Sequence, residues 1–364
     1  MLKKTILIIS LVWTTAVSQT TVNPDISFLG DLLIKGDKDS FSLITSGVEI
    51  TAQGYVNPFA RADLFLHLHD GEGIIEIEEA FITVERGLPL NLGLRAGKFR
   101  PDFGKINREH THTYHYILPS RPVQSLLGEE MWSSAGVELS TLVPLPWYSK
   151  FSFSTMQNGM GVHGHEDHSH DMREEKKEWY GDKRLIEKQD SDSKDTGVVA
   201  FRFSNFLELN QITHFETGLN HYRSLHDDEE TISGVDLKFK WRPDKFRSFT
   251  IQGEVMQNTG EEEHEEDKYH KEDHSDEGGT IIAYGWLNMQ INKIWNIGLI
   301  MDYSSEMHED QYKSFGVFGG FSPVEESSVF RVRFHQEYHG DEAPIFSVVG
   351  QLIWSLGPHK PHRF

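Results

Sequence analysis

The chain has 364 residues, no cysteine and a formal net charge of −21, from Lys+Arg 35 against Asp+Glu 56. Without cysteine there can be no disulfides, thiolate metal sites or lipid-bearing N-terminal cysteine. A surface this acidic repels phosphate backbones, which argues against nucleic acid as a partner, and attracts cations.

The first residues read as a secretory signal, 1–18. Lys3 and Lys4 form a charged start, Thr5 to Thr15 a short apolar run, and Ala16-Val17-Ser18 a small-residue cleavage site before Gln19. The apolar run falls short of the roughly 20 residues that a spanning helix needs. No later segment approaches that length, so the expectation is an exported protein without a helical span.

Residues 19–364 then read as a single domain. Sixteen strands are predicted, at 24–35, 42–56, 58–69, 73–86, 90–100, 132–143, 148–158, 196–208, 211–224, 231–242, 246–258, 279–291, 295–305, 312–322, 328–338 and 345–357. No long helical period competes with them. Most alternate. Ala60, Ala62, Leu64 and Leu66 share one face, and Arg61, Asp63, Phe65 and His67 the other. Val235, Leu237, Phe239 and Trp241 oppose Asp236, Lys238 and Lys240. Phe330, Val332 and Phe334 oppose Arg331, Arg333 and His335. The strand at 73–86, with its run Glu76, Ile77, Glu78, Glu79, alternates poorly and its faces stay unassigned.

The connections also alternate, in length. Turns such as Asn57-Pro58, Gly87-Leu88-Pro89, Pro144-Leu145-Pro146, Asn205 to Asn210, Arg242-Pro243-Asp244 and Asn292-Lys293 are tight. Those at 36–41, 70–73, 101–131, 159–195, 225–230, 259–278, 306–311 and 339–344 are longer and more polar. Short turns at one rim and long loops at the other are the pattern of an outer-membrane barrel. Strands of about ten residues suit a tilted bilayer crossing. Trp132, Trp147, Tyr148, Trp241, Trp286, Trp295, Tyr303, Tyr338 and Trp354 near strand ends suit interfacial girdles. A soluble sandwich also alternates, but would leave edge strands that closure removes. The fold class expected is therefore all-β: a closed antiparallel transmembrane β-barrel of about 16 strands, in the outer membrane and surrounded by its lipid.

The segment AGKFRPDFGKIN, Ala96 to Asn107, resembles the strand-and-turn motif of the phosphate-selective porin family and its porin-like relatives. That resemblance implies that the long third loop, 101–131, folds into the lumen and sets the constriction. It does not carry a phosphate preference, because the dense basic ladder that anion selection wants is missing. The last strand and Phe364 resemble the aromatic-ended signal read by the barrel-assembly machinery, a partner during biogenesis; the Gly357-Pro358 break departs from it. Sixteen-stranded porins are frequently trimers, which makes a homotrimer one expectation.

The expected channel lumen is mixed in sign. Arg61, Arg95, Lys98, Arg100, Arg202, Lys238, Lys240, Arg331 and Arg333 oppose Glu49, Asp63, Glu138, Glu216, Asp236, Glu254, Asp302 and Glu337. Such charges either line a wet pore or pair across strands. Sixteen strands enclose more space than side chains alone fill.

The twenty histidines are the more specific signal. His110, His112 and His115 lie in the third loop; His163, His165, His168 and His170 in the loop at 159–195; His264, His270 and His274 in the loop at 259–278, amid carboxylates. His67, His221, His335 and His339 also fall near long-loop ends. Neutral imidazole with carboxylate suits Zn(II) and its neighbours, and the short, irregular spacing implies weak capture rather than a fixed structural site. No tightly bound cofactor is expected. The alternative is an acid-rich, low-complexity loop that meets metal only incidentally.

There is no G-x-S-x-G elbow, H-E-x-x-H or Walker loop, so no catalytic residue is nominated. The leading expectation is a porin-like channel for passive diffusion of small solutes, whose His/Asp/Glu-rich loops gather divalent metal such as zinc. Receptors for energised zinc uptake resemble it in their histidine loops, but their plug and larger barrel exceed this length. A general porin, a plugged structural barrel and an outer-membrane enzyme are the competing readings.

Overall fold

The computed structural model describes residues 24–38, 40–68, 75–161, 197–225, 230–259, 279–307, 310–324 and 328–357. The signal segment 1–18 and most of the loops 159–195 and 259–278, with His163, His165, His168, His170, His264, His270 and His274, lie outside the described residues.

Sixteen strands run in chain order: β1 (Asp25–Gly36), β2 (Phe41–Asn57), β3 (Ala60–Leu68), β4 (Ile75–Val84), β5 (Gly93–Phe99), β6 (Ser134–Leu142), β7 (Tyr148–Met156), β8 (Val198–Asn210), β9 (Thr213–Ser224), β10 (Thr231–Trp241), β11 (Ser248–Asn258), β12 (Thr280–Gln290), β13 (Trp295–Met307), β14 (Asp310–Val324), β15 (Ser328–His339) and β16 (Ile345–Leu356). Each pairs antiparallel with the next, and β1 pairs with β16, from Phe28 opposite Leu356 to Gly36 opposite Val348, so the sheet closes. Closure leaves no unpaired edge, which a bilayer core demands. Among the described residues no helix is long and apolar enough to cross a membrane.

The alternation is borne out. Val235, Leu237, Ile251, Val255, Ile297, Met301, Phe330, Val332 and Phe334 are exposed on the outer wall, while Asp236, Gln252, Glu254, Asp302, Arg331 and Arg333 are buried within. An outer apolar band around a polar interior is the inverse of a soluble sandwich.

Two sequence expectations change. The turn placed at Asn205 to Asn210 is strand; β8 runs to Asn210 and turns at 211–212. Trp132 and Trp286 are not girdle residues: both are buried inside the barrel, whereas Trp147, Tyr148, Trp241, Trp295, Tyr338 and Trp354 are exposed outside. β16 ends at Leu356, before Gly357 with its φ of +96°, and Phe364 lies outside the described residues. The poor alternation of β4 has a structural cause. Phe65 pairs with Glu79 and Leu66 with Ile77, leaving Glu78 as the extra residue of a bulge. A bulge re-aims one side chain, and here Glu78 and Glu79 are both buried on the inner side.

Candidate functional site: the inward third loop and its charged wall

The chain from Arg100 to Ser133 turns into the barrel and crosses it. Two short 3₁₀ turns, Ile106–Arg108 and Thr111–Thr113, lead to the helix α1 (Arg121–Leu127), with Pro122 in its first turn and Gly128 closing it. Aromatic and aliphatic side chains dominate the loop because it has its own core to fill. Phe103, Ile106, Tyr114, Tyr116, Val123, Leu127, Met131 and Trp132 are buried against Met156, Val198, Tyr222, Ile232, Met256, Ile282, Tyr284, Trp286, Ile300 and Phe318 of the inner wall. Trp132 meets Tyr222 edge-on at 5.4 Å, and Tyr116 meets Trp286 at 6.0 Å. The inner face of β7–β14 is thus locally apolar where the loop docks.

Polar anchors fix the loop at both ends. The Asn107 side chain donates to the carbonyls of Pro101 (3.1 Å) and Trp132 (3.2 Å) and accepts from Trp132 N–H (2.8 Å), which ties the two arms together. Gly104 N–H donates to Asn220 Oδ1, and Lys105 Nζ pairs with Glu216. Gly104 has a φ of +62°, and a Cβ there would collide with the Glu254 carboxylate. Asp102 accepts from Lys150 Nζ (2.8 Å) and Ser152 Oγ (3.0 Å), with Arg202 at 3.5 Å. Burial opposes its charge, but Lys150, Arg108 and Arg202 outweigh burial and hold its pKa well below the usual range.

The nominated lumen residues divide by role. Arg61 pairs with Asp63 at 2.8 Å on β3. Arg95 pairs with Glu138 at 2.8 Å and lies over the Phe99 ring. Lys238 and Lys240 share the inner face of β10 with Asp236, Lys238 standing in register with Glu216 and Gln252. Arg331 and Arg333 clamp the loop: Arg331 donates to the His112 carbonyl at 3.0 Å, and Arg333 to the carbonyls of Leu118 (3.0 Å) and Tyr116 (3.3 Å). Lys98 departs from the expectation. Its register partners are Ala80 and Ala135, on the face opposite Arg95, and its ammonium caps the Ile77 carbonyl. Between the tip of the loop and β13–β16 lies a gap where Lys35, Arg121, Arg333 and His335 face Asp302 and Glu337. Arg121 bridges it, 2.8 Å from Glu337.

The loop histidines separate. His115 packs against Trp286 on β12. His110 and His112 stack on one another at 5.7 Å and face β2–β4. There His110 Nε2 lies 3.0 Å from Glu79 Oε1, and its Nδ1 stands 3.3 Å from Glu78 Oε2 and 3.6 Å from Glu49 Oε2. His112 Nδ1 is 3.2 Å from that Glu49 oxygen. His67 Nδ1 approaches the other Glu78 oxygen at 3.2 Å and Glu130 at 4.0 Å. Arg100 lies beside the group, donating its N–H to Glu79. Burial and Arg100 disfavour a charge on His110, but Glu49 and Glu78 prevail and hold its pKa well above the histidine range. Two triads here have ligand atoms close enough to share a metal ion: Glu49, Glu78 and His110, and His67, Glu78 and Glu130. Sequence reasoning placed Glu49 in the lumen and nominated His110 and His112, but missed Glu78, Glu79 and Glu130. The broken alternation in β4 was the available signal for the first two.

No family model matches the chain. An uncharacterized protein of Aquifex aeolicus (strain VF5) is 26% identical over 365 residues, spanning 90% of this chain and 71% of its own. Among solved structures, a loop L8 deletion mutant of OmpT, an outer membrane protein of Vibrio cholerae, superposes with a TM-score of 0.55 at 6% identity, covering 92% of this chain and 99% of its own. The outer membrane channel DcaP of Acinetobacter baumannii gives 0.55 at 10% identity over 93% and 99%, and an anion-selective porin from Comamonas acidovorans 0.54 at 9% over 92% and 100%. The fold is that of an outer-membrane porin. At these identities the likeness is one of architecture alone.

Proposed function

We propose that this porin-like barrel is a passive, non-catalytic channel for small polar solutes, constricted by its third loop, and that its histidine- and acid-rich long loops gather divalent transition metals such as zinc at the mouth. The observation that carries the channel reading is the two-signed gap between the loop tip and β13–β16, with Lys35, Arg121, Arg333 and His335 opposite Asp302 and Glu337. Opposed charges orient a dipolar solute and tolerate either ion sign. The metal reading is supported by the bias of His163, His165, His168, His170, His264, His270 and His274 to two acidic loops and by steering of cations toward negative charge. A homotrimer fits the reading, since OmpT of Vibrio cholerae has a trimer form.

The apolar seat of the third loop favours a second reading, a structural barrel whose interior is closed. Planar-bilayer recordings separate the two. The channel reading expects stepwise conductance; silence in repeated reconstitutions removes it in favour of the closed barrel. Addition of Zn(II) is expected to change the current and to leave zinc on the purified protein. Unchanged current with no retained zinc removes the metal half.

A further inference from the structure

The acid–imidazole cluster where the third loop meets β2–β4 brings Glu49, Glu78, Glu79 and Glu130 around His67, His110 and Arg100. Glu49 and Glu78 are each 8% exposed. Glu78 Oε2 is shut off from water and accepts no hydrogen bond, yet it is the atom 3.3 Å from His110 Nδ1. Its neighbours are the His110 imidazole and the Arg100 guanidinium, and a divalent cation at the same spot would displace the Nδ1 proton and take over the pairing. His110 is presented as ligands usually are. Its Nε2 is engaged by the Glu79 carboxylate, which fixes the ring and turns Nδ1 toward the other two acids. The spacing also fits. Donors about 2.0–2.1 Å from a tetrahedral zinc stand about 3.3 Å apart, and Nδ1 lies 3.3 and 3.6 Å from the two carboxylate oxygens. Arg100, 3.7 Å from Glu78 Oε2, supplies fixed positive charge, but Glu49, Glu78, Glu79 and Glu130 leave the pocket negative.

We propose that Glu49, Glu78 and His110 form a built site for a single divalent transition-metal ion, reached from the long-loop rim through His67 and Glu130. This deepens the metal half of the proposed function and rests on that reading for the class of ion. Glu78 is the hinge of the proposal. One oxygen faces the inner triad and the other faces His67, so an ion held between His67, Glu78 and Glu130 passes inward by changing oxygens on one carboxylate. The outer station is the more open, its His67 and Glu130 side chains being 19% and 34% exposed. Two carboxylates and one imidazole leave a fourth position, which suits an ion that exchanges rather than one that is locked in.

The test uses the full chain in detergent with Zn(II) as the probe. Zinc retained after gel filtration is counted per chain, and the zinc K-edge spectrum reads the ligands. The wild type is expected to keep one equivalent with a nitrogen/oxygen shell at about 2.0–2.1 Å. Glu78→Gln, nearly isosteric, is expected to lose that equivalent, with affinity reduced at least 100-fold. Glu79→Gln, which alters the His110 contact and the Arg100 N–H acceptor but no proposed ligand, is expected to weaken binding about 10–100-fold without changing the shell. Should Glu78→Gln fail to yield a folded barrel by circular dichroism, Glu49→Gln and His110→Gln are read the same way. A variant carrying His163→Ser, His165→Ser, His168→Ser, His170→Ser, His264→Ser, His270→Ser and His274→Ser is expected to keep the equivalent. If it keeps none, the inner site is overturned and loop capture stands. If it binds as much zinc as wild type, loop capture falls and the inner site stands. Undiminished binding by folded Glu78→Gln, Glu49→Gln or His110→Gln overturns the proposal.

Discussion

Asn107 offers the sharpest test of how the third loop is held. Its side chain has two N–H donors and one carbonyl acceptor, and all are used, on the Pro101 and Trp132 carbonyls and on Trp132 N–H. The residue is 0% exposed and Trp132 2%, so water cannot replace a lost partner without opening the neck. Asn107→Ala leaves three backbone groups unsatisfied, each costing roughly 1–3 kcal/mol when buried. Even the low end sums to about 3 kcal/mol, or about a hundredfold in the equilibrium between docked and undocked loop. The cost is local, because the ladder from β1 to β16 closes without the loop. Hydrogen exchange read by mass spectrometry on the folded barrel is the assay. Amides of Gly104, Lys105 and Trp132 should exchange about a hundredfold faster, while those of β10–β14 keep their rates. Asn107→Asp keeps the acceptor, loses the donors and sets a carboxylate against two carbonyls, so it should be no better than alanine. Unchanged loop exchange in Asn107→Ala would refute the reasoning, as would uniform acceleration through the barrel.

Three further perturbations probe the same assembly. Arg333→Met frees the Tyr116 and Leu118 carbonyls and leaves Asp302 without its guanidinium at 3.8 Å; under a salt gradient the reversal potential should move toward cation preference, and no movement would place the gap off the conduction path. Gly104→Ala meets both a left-handed φ and the Glu254 carboxylate, so it should cost the docked loop about 1–3 kcal/mol, read as a lower denaturant midpoint of Trp132 fluorescence in a chain whose other tryptophans are replaced. For pH, the folded pKa of Asp102 lies below its unfolded value near 3.9. Its contribution is therefore complete above about 3.9 and is lost as pH falls through the lower folded value. Read as protection relative to the intrinsic rate at each pH, the loop base should lose protection in acid in the wild type, and Asp102→Asn should flatten that acid limb.

What the sequence made legible was whatever depends on one strand at a time. A strand of period two between lipid and water writes both environments into its own residues, so Val235, Leu237 and Phe239 opposite Asp236, Lys238 and Lys240 could be read without a partner. What depends on two strands, or on a strand and a loop, was hidden. The Glu78 bulge is a fact of register between β3 and β4, visible beforehand only as a failure of alternation. Trp132, just before β6, sits near a strand end as a girdle residue does, and Trp286 lies midway along β12; both point inward, because the docked loop makes the inner wall beside β12 apolar. Arg331 and Arg333 were legible as inward charges. Their partners are loop carbonyls more than 200 residues away in sequence, and side-chain type says nothing about that.

On the proposed channel reading, the placement of the loop decides where a solute can go. A dry contact between Phe103, Tyr116, Val123 and Leu127 and the inner wall of β7–β14 offers an ion no replacement for its hydration shell. Ile117 and Leu118 seat in the same way against Leu33 on β1 and Val349 on β16, and the polar inner surface beside the loop includes that of β2–β4 and β15. Beside those apolar contacts, β1 and β16 carry buried polar side chains too. Ser27 and Thr51 share a hydrogen bond at 2.5 Å, Gln351 donates to Asp31 at 3.1 Å, and Arg61 is held between Asp63 and Gln53. The charged gap at the loop tip and the acid–imidazole cluster at the loop base both border this one polar strip. On the proposed metal reading, a cation entering from the long-loop rim on that side meets His67 and Glu130 before it meets the buried glutamates.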